Sequence, residues 1–492
     1  MVMLRYKAVA ANLPIVACLA TYAAYHAWAA NQIPVPVWDG AVYMILARDL
    51  LTGQPLYEFF RPLVLPGIIA ITWLFTGVNY EIPKFIPLLF TVGSAWILYS
   101  LVKPRKGNAF ALLTTVCFLF AAPIMLWTDH LLPESLSLFF VLLSVWFLSK
   151  GTLRGWLLGG LSSSVAILAR YPTAVIVFGI FFVFLYQYRK LLLADFLALG
   201  VVLPIAPIYL YSPPLLLDVI ERNFGVWSQI ASSEIAFAAP SPHLPIQYYA
   251  VAMPQIFTFL VPFLILSLIS LSTYKDSLTR IFSVWFIVAF VSFSLVPNKE
   301  TRFMFEWVPA IAILSVDGLQ KAWNPISKQI AEAAHWKSPR NSAKVLLGCI
   351  LVVLIAASVF FAINSQVSMY RRDYSNLYAG QVTDAGMIKV AQYVKNATSD
   401  SDVIISDFQA PILALYADRP VYSVQVVSMD KLSVLLEIGF GSDFQRPTLV
   451  VFFTKQSGYD SSVLQQQDFL QLKASFLVSP TLGTVYIFTF VG

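Results

Sequence analysis

Residues 83–130 read PKFIPLLFTVGSAWILYSLVKPRKGNAFALLTTVCFLFAAPIMLWTDH. Two apolar runs, 83–102 and 108–127, flank a basic turn of Lys103, Arg105 and Lys106. Each run has about the 20 residues that an α-helix needs to cross a bilayer. A positive turn between two such runs marks a cytoplasmic loop. The second run then ends on Thr128, Asp129 and His130, so its polar end faces the other side.

The same pattern repeats along the 492-residue chain. Apolar residues make up 58% of it and charged residues only 12%, with mean hydropathy +0.73. Soluble proteins carry roughly 25% charged residues, so a soluble enzyme, a disordered chain and a disulfide scaffold are all excluded. Cys18, Cys117 and Cys349 lie in apolar runs with no metal-ligand spacing and read as small buried hydrophobes. Further spans are predicted at 8–30, 134–149, 155–169, 172–188, 191–211, 248–273, 281–297, 303–322 and 345–364.

Charge orients these spans. Lys150 with Arg154, Arg189 with Lys190, Lys275 with Arg280, and Lys328 through Lys344 all fall in alternate loops, as do Arg5 and Lys7 at the start. This regularity accounts for the net charge of +6 without nucleic acid. It predicts a polytopic α-helical membrane protein of about 11 transmembrane helices in a plasma, inner or endoplasmic reticulum membrane, with the N-terminus cytoplasmic. The alternation requires Leu63–Gly77, about 15 residues with Pro66 inside, to lie on the outer surface as an interfacial helix.

From Asp384 the chain changes character. Helix-like Ala385–Lys395, strand-like Val403–Ser406, helix-like Pro411–Tyr416 and strand-like Val421–Val424 alternate. A helix at Lys431–Ile438 and strands at Thr448–Phe453 and Val485–Phe490 complete a small α/β rhythm. The expected domains are therefore a membrane domain, 1–364, whose first external loop is 31–82, and a soluble extracytoplasmic α/β domain, 365–492.

Ionisable residues gather at the predicted outer ends of the spans, where they are costly and usually functional. They are Asp39, Glu58, Arg61, Asp129, His130, Glu134, Arg170, Arg222, Lys299 and Arg302. Plain structural roles also fit: Asp39 as N-cap of 41–51, Asp129 as N-cap of the fourth span, and Arg170 as a snorkelling helix end. Lys299, Glu300 and Arg302 equally fit a surface ion-pair cluster. A cluster of cations on the outer side, against the positive-inside rule, points to an anionic ligand.

Several segments together resemble a known family. They are Trp38-Asp39-Gly40-Ala41-Val42-Tyr43, Ala47–Gly53, Tyr57, and Arg61-Pro62-Leu63-Val64-Leu65-Pro66. Thr128-Asp129 with Pro133-Glu134, Gly159-Gly160-Leu161 through Ala169-Arg170-Tyr171, Lys299–Phe303 to Pro309, and Tyr416–Pro420 continue the series. In this order they are similar to the GT-C superfamily of lipid-linked-sugar glycosyltransferases. The branch of protein O-mannosyltransferases and aminoarabinose transferases is the most similar.

The resemblance implies transfer of a hexosyl or pentosyl group from a dolichyl or undecaprenyl phosphate to a hydroxyl on a protein, lipid or glycan. Asp39 then matches the loop aspartate that acts as general base, Asp129 the second acidic site, and Arg61 the cation that holds the lipid phosphate. Lys299 and Arg302 suit the same clamp, with Glu58, His130, Glu134, Arg170 and Arg222 as supporting groups. Many members carry Asp-Glu where this chain has Asp39-Gly40, which leaves Glu58, Asp129 or Glu134 as the acidic partner. No cofactor is demanded by the residues, and a divalent cation, Mg2+ or Mn2+, stays open. The reading from another class is a transporter or flippase of lipid-linked sugars that binds phosphate without chemistry.

Overall fold

The computed structural model describes residues 2–211 apart from 55, 59 and 60, then 247–257, 260–269, 277–295, 301–333, 353, 385–407, 409–423, 447–453, 464–479 and 483–491. In chain order the helices begin with α1 (Val2–Asn31), α2 (Trp38–Thr52), α3 (Val64–Thr76), α4 (Ile86–Lys106), α5 (Asn108–Leu119) and α6 (Ala122–Trp127). They continue with α7 (Glu134–Leu148), α8 (Leu153–Ala169), α9 (Ala174–Tyr188), α10 (Leu191–Tyr211), α11 (Tyr248–Phe257) and α12 (Leu260–Ile269). Then come α13 (Ser277–Leu295), α14 (Val308–Ala333), α15 (Gly386–Ala397) and α16 (Ala410–Ala417). Short 3-10 turns cover Ile82–Phe85, Tyr171–Thr173 and Thr301–Trp307.

Among the described residues, five helical stretches are long and apolar enough to cross a membrane: Asn12–Asn31, Ile82–Lys106, Tyr171–Tyr188, Ser277–Leu295 and Arg302–Asn324. Helices α5, α7 and α8 are apolar but shorter. The run 108–127, expected as one helix, breaks between α5 and α6, where Ala121 is extended. Pro123 accounts for the break, since its ring cannot share a helix with the carbonyl four residues earlier and it has no N–H to donate. The span 345–364 and the helix at 431–438 lie outside the described residues, apart from Val353.

The chain folds as two compact units, and residues 28–84 group with the C-terminal one. One takes residues up to Ala27 together with those from Phe85 through α14; the other takes Trp28–Lys84 together with the described residues from 385 onward.

In the first unit, close helix contacts rest on small residues, as in membrane bundles generally. Gly160 of α8 and Gly200 of α10 face each other, and a Cβ on Gly160 would lie 2.5 Å from the Leu197 carbonyl oxygen. The Ser164 hydroxyl donates to the Val201 carbonyl at the same seam, 2.5 Å away. Ser144 of α7 and Ser163 of α8 hydrogen-bond at 2.7 Å. On α14, a Cβ at Gly318 would meet the Phe263 carbonyl oxygen of α12.

In the second unit, a five-stranded sheet has the order β2-β1-β3-β5-β4. Its strands are β1 (Ile404–Ser406), β2 (Val421–Ser423), β3 (Leu449–Phe453), β4 (Leu470–Ser479) and β5 (Gly483–Phe490). Strands β2, β1 and β3 run parallel, whereas β5 pairs antiparallel with both β3 and β4. Strand β3 is buried along its whole length, as a continuous apolar run of Leu449, Val450, Val451, Phe452 and Phe453 requires. Helix α15 buries Met387, Val390, Ala391 and Val394, the side expected from its period. Strand β4 was not legible in the sequence: Leu470-Gln471-Leu472-Lys473 alternates, but a register shift after Leu472 breaks the pattern.

Helix α16 connects parallel β1 to β2 and packs on α2 of the loop. Arg48 Nη1 lies 2.5 Å from Asp418 Oδ1, and the Tyr57 hydroxyl donates to the Val421 carbonyl at 3.1 Å. Tyr80 meets Tyr416 edge to face, with ring centroids 5.4 Å apart. Within this unit, the tail is thus the surface on which the first loop is built.

Replacing Gly160 by Leu should force α8 and α10 apart at about 1–3 kcal/mol of overpacking. The thermal midpoint of the purified protein in detergent should fall by several degrees. An unchanged midpoint would show that the seam is not close-packed.

Candidate functional site

Two groups of charged side chains stand out, one in each unit. The group in the second unit starts at α2. Val37 is the N-cap residue and Asp39 lies in the first turn, with no side-chain cap bond. Asp39 is therefore not the N-cap that its position also suited; its carboxylate is used elsewhere. One turn on, Tyr43 projects from the same face of the helix.

The chain leaves α2 at Gly53, whose φ of 69° suits glycine, and is then pinned back by Asp49. The Asp49 carboxylate accepts the Tyr57 backbone N–H at 2.9 Å. Burial raises the Asp49 pKa, while the Tyr57 amide and Arg48 pull it down. This turn delivers Glu58 and Arg61.

Arg61 Nη1 donates to Asp39 Oδ1 at 2.8 Å, and its Nε donates to Glu58 Oε2. Its guanidinium carbon lies 5.7 Å from the centre of the Tyr43 ring. Burial disfavours the Arg61 charge, but Asp39, Tyr43 and Glu58 more than offset it, so its pKa is raised. A planar guanidinium has five N–H donors. The two on Nη2 have no hydrogen-bond partner among the described residues.

The group in the first unit lies where helix ends meet the turns. Glu134 opens α7, where a helix N-terminus favours negative charge, and Arg170 follows the C-terminus of α8, where a cation is favoured. Arg170 Nη1 lies 3.1 Å from Glu306 Oε2 and its Nε 3.5 Å from Glu134 Oε1. Arg302 Nε lies 4.0 Å from the same Glu134 oxygen. The Thr173 hydroxyl donates to Glu306 Oε1 at 2.6 Å and accepts from the Ser137 hydroxyl at 2.7 Å. Phe293 and Phe303 lie 5.5 and 5.2 Å from the Arg170 guanidinium carbon. Arg170 is buried and paired, so it does not snorkel to the surface. Arg302 joins this cluster and not an isolated surface one.

Asp129 does not cap α7, whose N-cap residue is Pro133. It pairs instead with His26 of α1, Nδ1 to Oδ1 at 2.6 Å. His130, next in sequence, is buried beside Trp127. Burial pulls its pKa down to about 4, against Asp129 and a hydrogen bond to the Leu126 backbone, which raise it. Arg222 and Lys299 lie outside the described residues. Glu306 and His26 were the residues missed in the sequence. Each is ionisable inside a predicted span, which is itself the signal that finds such groups. Among the described residues no three of His, Cys, Asp and Glu come together to hold a metal ion.

This architecture has solved counterparts. It matches ArnT from Cupriavidus metallidurans, solved bound to undecaprenyl phosphate, with a TM-score of 0.64 and 12% identity over 96% of this chain and 97% of that one. The archaeal oligosaccharyltransferase AglB from Archaeoglobus fulgidus, solved with an inhibitory peptide and a dolichol-phosphate, gives 0.58 and 11% over 95% and 74%. The arabinofuranosyltransferase AftD from Mycobacteria gives 0.52 and 13%, over 96% of this chain but 41% of that one. This is the GT-C fold.

Family models agree in parts of the chain. Residues 61–215 match the dolichyl-phosphate-mannose-protein mannosyltransferase family, and residues 244–391 match the Alg9-like mannosyltransferase family. No curated protein matches the sequence. The resemblance to GT-C glycosyltransferases found in the motifs therefore stands, in a multi-pass membrane protein. The first family match begins at Arg61 and takes in Asp129, Glu134 and Arg170; the second takes in Arg302 and Glu306.

The His130 shift gives a signed expectation. Unfolded chains take up the imidazole proton near the ordinary value of 6.5, whereas the native protein takes it up near 4. Stability should therefore be full above pH 6.5 and decline as the pH falls towards 4. Thermal midpoints measured from pH 7 to pH 5 should drop, and His130→Phe should remove part of that drop. Identical pH dependence in both proteins would contradict a neutral buried His130.

Proposed function

We propose that the protein transfers a sugar from a polyprenyl phosphate, dolichyl or undecaprenyl, to a hydroxyl group at the extracytoplasmic face. The carrying observation is the Arg61 guanidinium, fixed between Asp39 and Glu58 with its Nη2 donors uncommitted among the described residues. The solved relatives add weight, because ArnT was captured with undecaprenyl phosphate and AglB with a dolichol-phosphate. Basic turns at Lys103–Lys106, Lys150–Arg154 and Arg189–Lys190 belong to the cytoplasmic side in this reading.

The donor's phosphate gains charge as the sugar leaves, and a cation already aimed at it stabilises that change. Arg61 presents a planar fork suited to phosphate oxygens. Asp39 is the general base. In the resting site Arg61 holds the Asp39 carboxylate at 2.8 Å. A bound phosphate competes for the same guanidinium and so releases Asp39 to take the acceptor proton when donor is present.

The reaction then balances in one displacement. The acceptor oxygen forms a bond to the anomeric carbon, and its proton passes to Asp39. The bond from that carbon to the phosphate oxygen breaks, with its electron pair leaving on the phosphate. The configuration at the anomeric carbon inverts. No acid is needed to protonate a phosphate leaving group; Asp129 is the second acidic group that the resemblance assigns to the reaction.

The test is turnover of a polyprenyl-phosphate sugar with an acceptor by the purified protein. Asp39→Asn should lower kcat by about 10²-fold or more, the usual worth of a general base. Arg61→Ala should weaken donor binding more than Arg61→Lys, which keeps the charge but not the fork. Wild-type turnover by Asp39→Asn would remove the base, and equal donor affinity in the two Arg61 variants would remove the clamp.

A further inference from the structure

Helix α1 carries one imidazole in its apolar run, and it is fully buried. His26 Nδ1 lies 2.6 Å from Asp129 Oδ1; toward a carboxylate, Nδ1 carries the proton and donates it. Its other nitrogen, Nε2, is buried with no hydrogen-bond partner among the described residues. The ring's polar chemistry is therefore spent on one neighbour, and that neighbour is Asp129.

The contact is built by a pair of residues. Tyr22 lies four positions before His26 on the same face of α1, with ring centroids 4.2 Å apart. Its hydroxyl shares a 2.9 Å hydrogen bond with Thr128 Oγ1, the residue before Asp129. Thr128 in turn donates to the Ile124 carbonyl at 2.7 Å and meets Thr91 of α4 at 3.4 Å. One face of α1 thus grips both residues of the Thr128-Asp129 step at the end of α6. Tyr22 fixes the backbone side of that step through the threonine, and His26 fixes the carboxylate.

A buried nitrogen left without a partner costs about 1–3 kcal/mol. In return the histidine supplies a donor that fixes the orientation of the Asp129 carboxylate, which a Leu or Phe would leave without this partner. We propose that His26 is the positioning residue for Asp129, so that α1 contributes to the reaction through the Asp–His pair. This rests on the reading of Asp129 as the second acidic group of the transferase, and it adds the residue that holds it in place.

The test is a double-mutant cycle on the full-length protein in detergent or lipid nanodiscs, with a polyprenyl-phosphate sugar as donor. His26→Phe should lower kcat by about ten- to hundredfold, the range found when an orienting partner of a functional group is removed. The KM for donor should stay within about twofold, since the interaction removed acts in the transition state and not in ground-state donor binding. His26→Asn, whose amide N–H occupies the place of Nδ1–H, should recover most of kcat. In the Asp129→Asn background His26→Phe should cost nothing more, because the two residues act as one unit.

Size-exclusion profiles and thermal midpoints show which variants are folded, and His26→Asn reports even where His26→Phe does not fold. Wild-type kcat in His26→Phe with slow Asp129→Asn overturns this inference alone. So do multiplicative losses in the double variant, or a His26→Asn protein that is folded and as slow as Asp129→Asn. Full turnover by Asp129→Asn overturns the role given to Asp129 and this inference with it.

Discussion

An arginine held between two carboxylates is the constraint around which the first loop is arranged. Arg61 cannot reach Asp39 unless the chain turns back after α2, and Gly53 with the Asp49 to Tyr57 bond makes that turn. The turn in turn leans on the tail, through Tyr57 to the Val421 carbonyl and Arg48 to Asp418. Asp418 sits at φ 56° just past α16, a conformation Asp tolerates better than most residues, and there its carboxylate reaches α2. The described part of the small sheet domain is therefore the wall against which this loop folds.

The membrane unit solves a different problem, that of keeping charge away from water. Ionised groups are costly to bury and are tolerated when paired and hydrogen-bonded. Glu306 meets Arg170 and Thr173, and Arg170 also approaches Glu134, so charges from three chain segments offset one another. Breaking one member would leave another charge stranded, which is why such clusters act as a unit. The pair of His26 with Asp129 follows the same logic on a smaller scale.

Much of this was legible in the sequence, and for identifiable reasons. Hydropathy and the placement of Lys and Arg act at the level of whole helices, so α4, α7, α9 and α13 fall close to their expected bounds. The stretch 63–77, expected as a helix too short to span, is helical as α3, Val64–Thr76. The short tail elements α15, β1, α16 and β3 were found because their apolar periods are clean. What could not be read were the partnerships. Asp39 and Asp129 both looked suited to capping, since a cap is a local rule, whereas their actual partners, Arg61 and His26, lie 22 and 103 residues away. Strand β4 escaped because a register shift hides its alternation, and the break before α6 required weighing Pro123 against an otherwise uniform apolar run.

In the proposed reaction a lipid phosphate and Asp39 compete for one guanidinium. A cryo-EM structure of the full chain in lipid nanodiscs with a polyprenyl phosphate tests it most directly. The phosphate oxygens should lie about 3 Å from Arg61 Nη2, an ordinary hydrogen-bond distance, with the Arg61 to Asp39 contact lengthened from its resting 2.8 Å. A phosphate bound elsewhere, with Arg61 and Asp39 still joined as in the resting site, would contradict it.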